Sequence, residues 1–282
     1  MAKSLKRLMM GLQTLSGLRR QGYFIPYRYA DRITPDQLRR SYPAVQALFE
    51  RHQAQFDQSL LSLTDYREAL LRFANTRPPL PRWRQDWYPR LDGAMAYALT
   101  RRLRPTGIVE IGSGHSTRFF AAAIDDAGLE TRLIAVDPAP RADLDGLRGV
   151  ELHRTTVQHL DSAVIEQLRP GDFFVVDSSH IAMPGSDVDW LLTELLARLP
   201  CGVLVHIHDV FLPDPYPASW AWRGYNEQTV VAALLLGGGY EPIWSSHWAA
   251  TRMRAALRIS VAAHIPLSPG AVESALWLRK RI

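Results

Sequence analysis

Ile108-Val-Glu-Ile-Gly-Ser-Gly-His-Ser-Thr-Arg118 is the stretch from which the rest of the chain can be read. An apolar run containing Glu110 turns through Gly112-Ser113-Gly114 and opens into Arg118-Phe-Phe-Ala-Ala-Ala123, the order of strand, tight turn and helix. Glycine tolerates the positive φ of a sharp turn and lets a ligand approach the backbone with no Cβ in the way. Free amides at the start of the following helix favour an electron-rich or anionic group. The order therefore predicts a cofactor site at Gly112, Ser113 and Gly114. A dinucleotide fingerprint would need a third glycine three residues after Gly114, and Thr117 stands there, which weakens a nicotinamide reading.

Outward from this turn, apolar β-rich runs alternate with helical patterns. Thr131 to Val136 reads as a second strand closed by Asp137-Pro138, and Val150 to His153 as a third. Asp172 to Val176 is a buried strand leading into Asp177-Ser-Ser-His180, and Gly202 to His208 leads into Asp209. Tyr240 to Ser245 and Ser274 to Arg279 make a sixth and a seventh strand. A helix through Ala94 to Arg102 precedes the first strand, and Asp187 to Leu199 carries a leucine-rich stripe that would cover a sheet face. Such alternation predicts an α/β domain, Rossmann-like, with a parallel sheet and helices on both faces. Ligands of open parallel sheets sit outside the carboxyl ends of the strands, so Glu110, Asp137, Asp177 and Asp209 are expected along one rim. Capping would explain any one of these acids alone; Asp137 could also accept two hydrogen bonds from a ribose diol.

Asp177 and Asp209 lie in sequence beside His180, His206 and His208. Oxygen and imidazole ligands from two strand ends could hold a divalent cation on Asp177, His208 and Asp209: Mg²⁺ if carboxylates and water dominate, Zn²⁺ or Fe²⁺ if the histidines bind. Without a metal, His208 or His180, with Asp209 beside them, could serve as a base, since imidazole titrates near pH 6.5. His206 shares a strand face with His208 but lies deeper, the position of a satisfied core histidine.

The chain of 282 residues is 47% apolar, long enough for one large α/β domain with an extension. A net charge of +5 without a clustered basic stripe does not suggest nucleic acid. The single cysteine, Cys201, suits a reducing compartment and a cytoplasmic location. Arg77-Pro-Pro-Leu-Pro81 is a stiff linker that divides an N-terminal helical extension, residues 1–80, from a main domain, residues 81–282. Thr34-Pro-Asp-Gln37 reads as a helix start. Leu5, Leu8, Met9, Leu12 and Leu15 recur at helical spacing among Lys and Arg, and residues 1–30 contain no acid. This basic amphipathic helix can dock on its own domain, join a second copy in a homodimer, or lie on an anionic membrane as a peripheral contact. Trp83 to Tyr88 and the aromatic, proline-rich stretch Phe211 to Asn226 are candidate walls of the site, the second a lid without secondary structure; packing is the alternative for each.

Val109-Glu-Ile-Gly-Ser-Gly-His-Ser-Thr117, Asp137-Pro138, Asp177-Ser-Ser-His180, Gly185-Ser-Asp187, His206-Ile-His-Asp209, Tyr225-Asn-Glu-Gln228 and Leu276-Trp-Leu-Arg279 together resemble a bacterial subfamily of the class I S-adenosylmethionine (SAM)-dependent methyltransferases. The resemblance implies the methyltransferase fold, a seven-stranded mostly parallel sheet whose seventh strand is inserted antiparallel. It implies SAM held by Glu110, Gly112, Ser113, Gly114 and Asp137, with Val157 near the adenine and Asp177 also at the cofactor, on the acceptor side. It also implies a small-molecule or saccharide hydroxyl as acceptor. In the metal-dependent O-methyltransferases that this region resembles, an Asp after the fourth strand and an Asp-Asn pair after the fifth bind Mg²⁺; here the pair reads His208-Asp209. Two other classes stay open: a metal-dependent hydrolase or oxygenase built on His206, His208 and Asp209, and a non-catalytic subunit of the same fold that binds a partner or membrane.

Overall fold

The structure is a computed structural model that describes residues 2–34, 40–140, 142–144 and 146–282. An N-terminal helix, α1 (Ala2–Leu15), is followed by α2 (Pro43–Arg51), α3 (Gln53–Ser62) and α4 (Arg67–Arg72). The helix start expected at Thr34 to Gln37 falls on 35–39, outside the described residues. Then come α5 (Arg90–Leu103), β1 (Gly107–Ile111), α6 (His115–Ala127), β2 (Arg132–Val136), β3 (Val150–His153), α7 (Ala163–Glu166) and β4 (Phe173–Val176). The predicted helix after β4 is α8 (Asp187–Trp190), a π turn (Leu191–Leu195) and α9 (Leu196–Arg198). Next are β5 (Leu204–Ile207), α10 (Glu227–Leu236), β6 (Tyr240–Ser245), α11 (Ser246–Arg252), α12 (Arg254–Ile259) and β7 (Leu276–Lys280).

The seven strands form one sheet in the order β3-β2-β1-β4-β5-β7-β6. β1 to β5 run parallel, and β7 pairs antiparallel with both β5 and β6. A parallel sheet is covered on both faces, so its strands are apolar throughout. Phe173 to Val176 are all at most 3% exposed, as this requires. The reversal of chain order at β1 and β4 opens a crevice at their carboxyl ends, the place where such sheets bind ligands.

Seven large apolar side chains of the preceding helical segment, Val45, Phe49, Phe56, Leu60, Leu63, Leu70 and Phe73, enter the same core as the sheet. At about 1.5–3 kcal/mol each, their burial is worth on the order of 10–20 kcal/mol, comparable to the whole net stability of a domain. Residues 43–73 are thus structural for the sheet domain, although the Arg77 to Pro81 linker separates them in sequence. Trp83, expected as a candidate wall, is core as well: it is 1% exposed, stacks near Phe119 and donates its indole N–H to Leu70 O at 2.7 Å. Gly93 of α5 faces Phe119 of α6 so closely that a Cβ would lie 2.6 Å from the ring. This close approach seats α5 against the first β-α unit and brings Asp92 over the sheet's carboxyl edge.

Candidate active site

The glycine turn forms as the sequence predicts. Gly112 has φ +83°, and a Cβ there would lie 2.2 Å from Asp177 O, so the turn and the end of β4 are in backbone contact. Gly114 has open space around it, the nearest atom to a Cβ being Ala142 Cβ at 3.9 Å. Asp137, half-buried after β2, accepts hydrogen bonds from Ser113 N (2.9 Å) and Ser113 Oγ (3.0 Å) on one oxygen and from Ala139 N (2.8 Å) on the other. Ser113 and Asp137 therefore meet on one rim. Val157, 3% exposed, begins the short 3₁₀ turn Val157–His159 after β3, and Gln158 beside it donates to Gly185 O.

Glu110 is placed differently from the expectation of direct cofactor contact. It is fully buried, and its carboxylate accepts from Ser116 Oγ and Thr117 Oγ1 (2.6 Å), bracing the start of α6 from behind the glycine turn. Burial pushes its carboxyl up to about 8, against the two hydroxyl hydrogen bonds and with the charges of Asp177 and Asp137. A carboxyl raised in the folded state holds its proton between the ordinary value and about 8. Its contribution to stability is complete at low pH and falls as pH rises through that window. We expect Glu110→Gln, which removes the ionisation, to raise the thermal midpoint more at about pH 8.5 than at about pH 6. An equal change at both would refute this placement of the charge.

The acceptor side is a ring of two carboxylates and two imidazoles. His180 Nε2 lies 3.4 Å from Asp177 Oδ1 and 3.5 Å from Asp209 Oδ2. His208 Nδ1 lies 3.5 Å from Asp177 Oδ1 and 3.6 Å from Asp209 Oδ1. The outward nitrogens are held by further carboxylates: His180 Nδ1 donates to Glu227 at 2.8 Å, and His208 Nε2 faces Asp92 at 3.3 Å. Asp92, fully buried, also accepts from Ser274 N and Ala275 N, and Asp209 from Ser274 Oγ. Ser178 Oγ donates to Glu227, and Asp187 accepts from Ser179 N, fixing the loop after β4. His180 (φ 61°) and Asp209 (φ 54°) both adopt the left-handed backbone region. Such strain in non-glycine residues persists where the surroundings fix it, commonly at functional sites.

Burial opposes charge on both imidazoles. For His180 the hydrogen bonds to Asp177 and Glu227 and the charges of Glu227 and Asp209 prevail, and for His208 the charges of Asp209 and Asp177 do. Both are held well above the ordinary histidine value. Asp177 is raised by burial, but His208 and His180 outweigh this and keep it well below the carboxylate range. Its side chain is 40% exposed against 4–5% for the two histidines, so Asp177 is the member of the ring that opens to solvent. Asp177, His208 and Asp209 are the residues on which a divalent ion was expected. The three side chains converge, yet among the described residues no group of three or more His, Cys, Asp or Glu is arranged to hold a metal ion. Each carboxylate is faced by imidazolium instead.

His206 is a core residue. Its Nδ1 donates to Leu276 O, its Nε2 is 3.1 Å from the Tyr88 hydroxyl, and its ring stacks on Trp277 at 4.8 Å. Burial and the charge of His208 push it down to about 3, so it is neutral. The cluster required by a hydrolase or oxygenase thus lacks one of its three members. Residues Phe211 to Asn226 are not without secondary structure: they contain the 3₁₀ helix Ala218–Arg223. Phe211, Tyr216, Trp220 and Tyr225 pack edge to face, and Tyr225 lies 4.6 Å from the His180 ring. The Arg223 guanidinium sits 3.8 Å over Trp220 and reaches to 3.7 Å from Asp209. Asp92, Glu227, Ser274 and Arg223 are members of the site that sequence reasoning missed; a lone acid in the apolar helix Leu91 to Leu99 was the available signal for Asp92.

Residues 109–210, from β1 to just beyond β5, match the family model of a methyltransferase domain. These residues form a methyltransferase domain. Three solved structures similar to this chain are the apo form of CmcI-N160, the S-adenosylhomocysteine (SAH)-bound methyltransferase PaMTH1 of Podospora anserina, and the plantazolicin methyltransferase BpumL with SAH and a monoazolic desmethylPZN analog. CmcI-N160 is 15% identical, over 75% of this chain and 83% of its own, with a TM-score of 0.41. PaMTH1 is 15% identical over 93% and 100%, with a TM-score of 0.43. BpumL is 13% identical over 84% and 100%, with a TM-score of 0.44. Comparison with curated proteins gives no match.

Proposed function

We propose that this protein is a class I, SAM-dependent methyltransferase that transfers the methyl group of SAM to a hydroxyl of a small molecule or saccharide, with His180 as the base. The observation that supports this reading is the His180–Glu227 pair aimed into the Asp177–Asp209 gap. Bound SAM supplies an electrophilic methyl on a sulfonium. What this chain must do is align the acceptor oxygen and take its proton. Glu227 holds the Nδ1 proton of His180, so the proton lost on going to the neutral form leaves Nε2, on the Asp177–Asp209 side. The carboxylates that raise His180 make its neutral form a stronger base, because the proton it receives is stabilised by Asp177, Asp209 and Glu227. His208, still charged, keeps Asp177 and Asp209 compensated at that moment. The convergence of Ser113 and Asp137 on the glycine turn supports the donor side, with Glu110 acting behind it. In this reading residues 1–80 are a helical extension of the catalytic unit of residues 81–282, with 43–73 sharing its core.

Calorimetric titration with SAH tests the donor side. We expect Asp137→Ala to weaken binding about tenfold to a hundredfold, the value of hydrogen bonds to a charged group. Binding indifferent to the substitution, or absent from the wild type, would refute the donor assignment. Turnover is then sought as SAH release over a panel of phenols, catechols and sugars. Elemental analysis of the protein run alongside decides whether a stoichiometric metal accompanies activity, which would displace His180 as the base.

A further inference from the structure

The apolar face of α1 is turned to solvent. Leu5, Leu8, Met9, Leu12 and Leu15 are 52–62% exposed, and the surface continues through Tyr23, Phe24, Ile25 and Tyr27 at 46–66%. Docking of this helix on its own domain, one of the sequence expectations, is confined to one edge. There Arg7 Nη1 donates to Ala221 O at 3.1 Å, and Leu8, Leu12 and Leu15 line a groove with Ala221 and Trp222. Among the described residues no helix is long and apolar enough to cross a membrane.

We propose that α1 is a peripheral anchor that lies on an anionic lipid surface. Charge selects this occupant. Residues 1–30 contain Lys3, Lys6, Arg7, Arg19, Arg20 and Arg28 and no acid. Two copies meeting through such faces would bring like charges together. A bilayer carrying anionic headgroups receives both the leucines and the basic residues: apolar side chains enter the acyl boundary while Lys and Arg stay at headgroup level. Tyrosines and arginines paired beside the helix, Arg20 over Tyr23 at 5.3 Å and Arg28 over Tyr29 at 5.4 Å, suit the same boundary. The anchor also reaches the catalytic side. Ala221, which α1 holds, belongs to the 3₁₀ helix whose Arg223 lies against Asp209. A chain seated this way presents its acceptor cleft close to the lipid surface, which suits an amphiphilic hydroxyl acceptor; that last point rests on the reading above, whereas the anchor does not.

The test is co-sedimentation of the full chain with vesicles of neutral phosphatidylcholine, alone or with about 30% phosphatidylglycerol. Binding is expected only to the anionic vesicles, to weaken at about 0.5 M salt, and to fall at least about tenfold in Leu8→Glu/Leu12→Glu and in Arg19→Glu/Arg20→Glu. SAH titration of each variant, expected to match the wild type, confirms folding and separates failure of the anchor from failure of the enzyme reading. No vesicle binding, or a dimer in solution that Leu8→Glu/Leu12→Glu converts to monomer, overturns the proposal.

Discussion

Gly112→Ala is expected to abolish SAH binding and lower the thermal midpoint together, whereas Gly114→Ala weakens binding and leaves the midpoint nearly unchanged. The two glycines share a turn but not a reason. At Gly112 a Cβ would have to occupy space 2.2 Å from Asp177 O, at a φ of +83°. The backbone strain alone costs about 1–3 kcal/mol, and overpacking adds a similar amount. The structure cannot relax by moving a side chain, because both partners are pinned: Gly112 N donates to Val136 O and Asp177 N to Ile111 O, each at 2.9 Å. Relief has to come from parting β1 and β4, which displaces Ser113 and Asp177 at once. At Gly114 a methyl meets only Ala142 at 3.9 Å, so the protein accommodates it and the cost appears only where a ligand approaches the turn. Calorimetry with SAH and thermal melts of both variants check this. Equal midpoints for the two would remove the steric argument.

His180→Gln is expected to lower turnover by about 10²–10⁴, the usual worth of a positioned base, with SAH affinity unchanged. The pH profile gives a sharper test, because His180 is surrounded by Asp177, Asp209 and Glu227 with Arg223 beyond Asp209. Its proton is held well above the ordinary histidine value, so the neutral, basic form grows only at pH well above that at which a free imidazole titrates. The rate should climb through that range and not level off near pH 6.5. Glu227→Gln removes one carboxylate and must move the climb to lower pH, while the rate at its plateau falls because the proton acquired in the transition state is less stabilised. A profile unmoved by Glu227→Gln, or full activity in His180→Gln, eliminates this base.

Much of the sheet was legible because parallel strands buried on both faces are written as uninterrupted apolar runs. The observed bounds of β3 and β6 coincide with those read from sequence, and β4 and β5 are shorter than read. The acids and histidines after β4 and β5 were visible for the same reason, since they end those runs. What the pattern could not give was the partner of each histidine. Asp92 meets His208 across 116 positions of sequence and Glu227 meets His180 across 47, and both acids come from helices laid on the sheet edge. Without them the two imidazoles read as metal ligands or free bases. With them each is an ion-paired group whose proton is expensive to remove. Trp83, beside a stiff linker, left a wall of the cleft and core packing equally open in the sequence, and its indole N–H, bound to a backbone carbonyl, places it in the core.

The antiparallel insertion of β7 between β5 and β6 has a practical corollary for anyone shortening this protein. The residues leading into that strand, Ser274 and Ala275, supply the amides that secure Asp92 and the hydroxyl that secures Asp209. Trp277 of the same strand packs, fully buried, on Phe120 behind the glycine turn and on Phe173, so a version cut back before residue 274 would lose the clamp of the proton-handling half and open the core beneath the donor half as well.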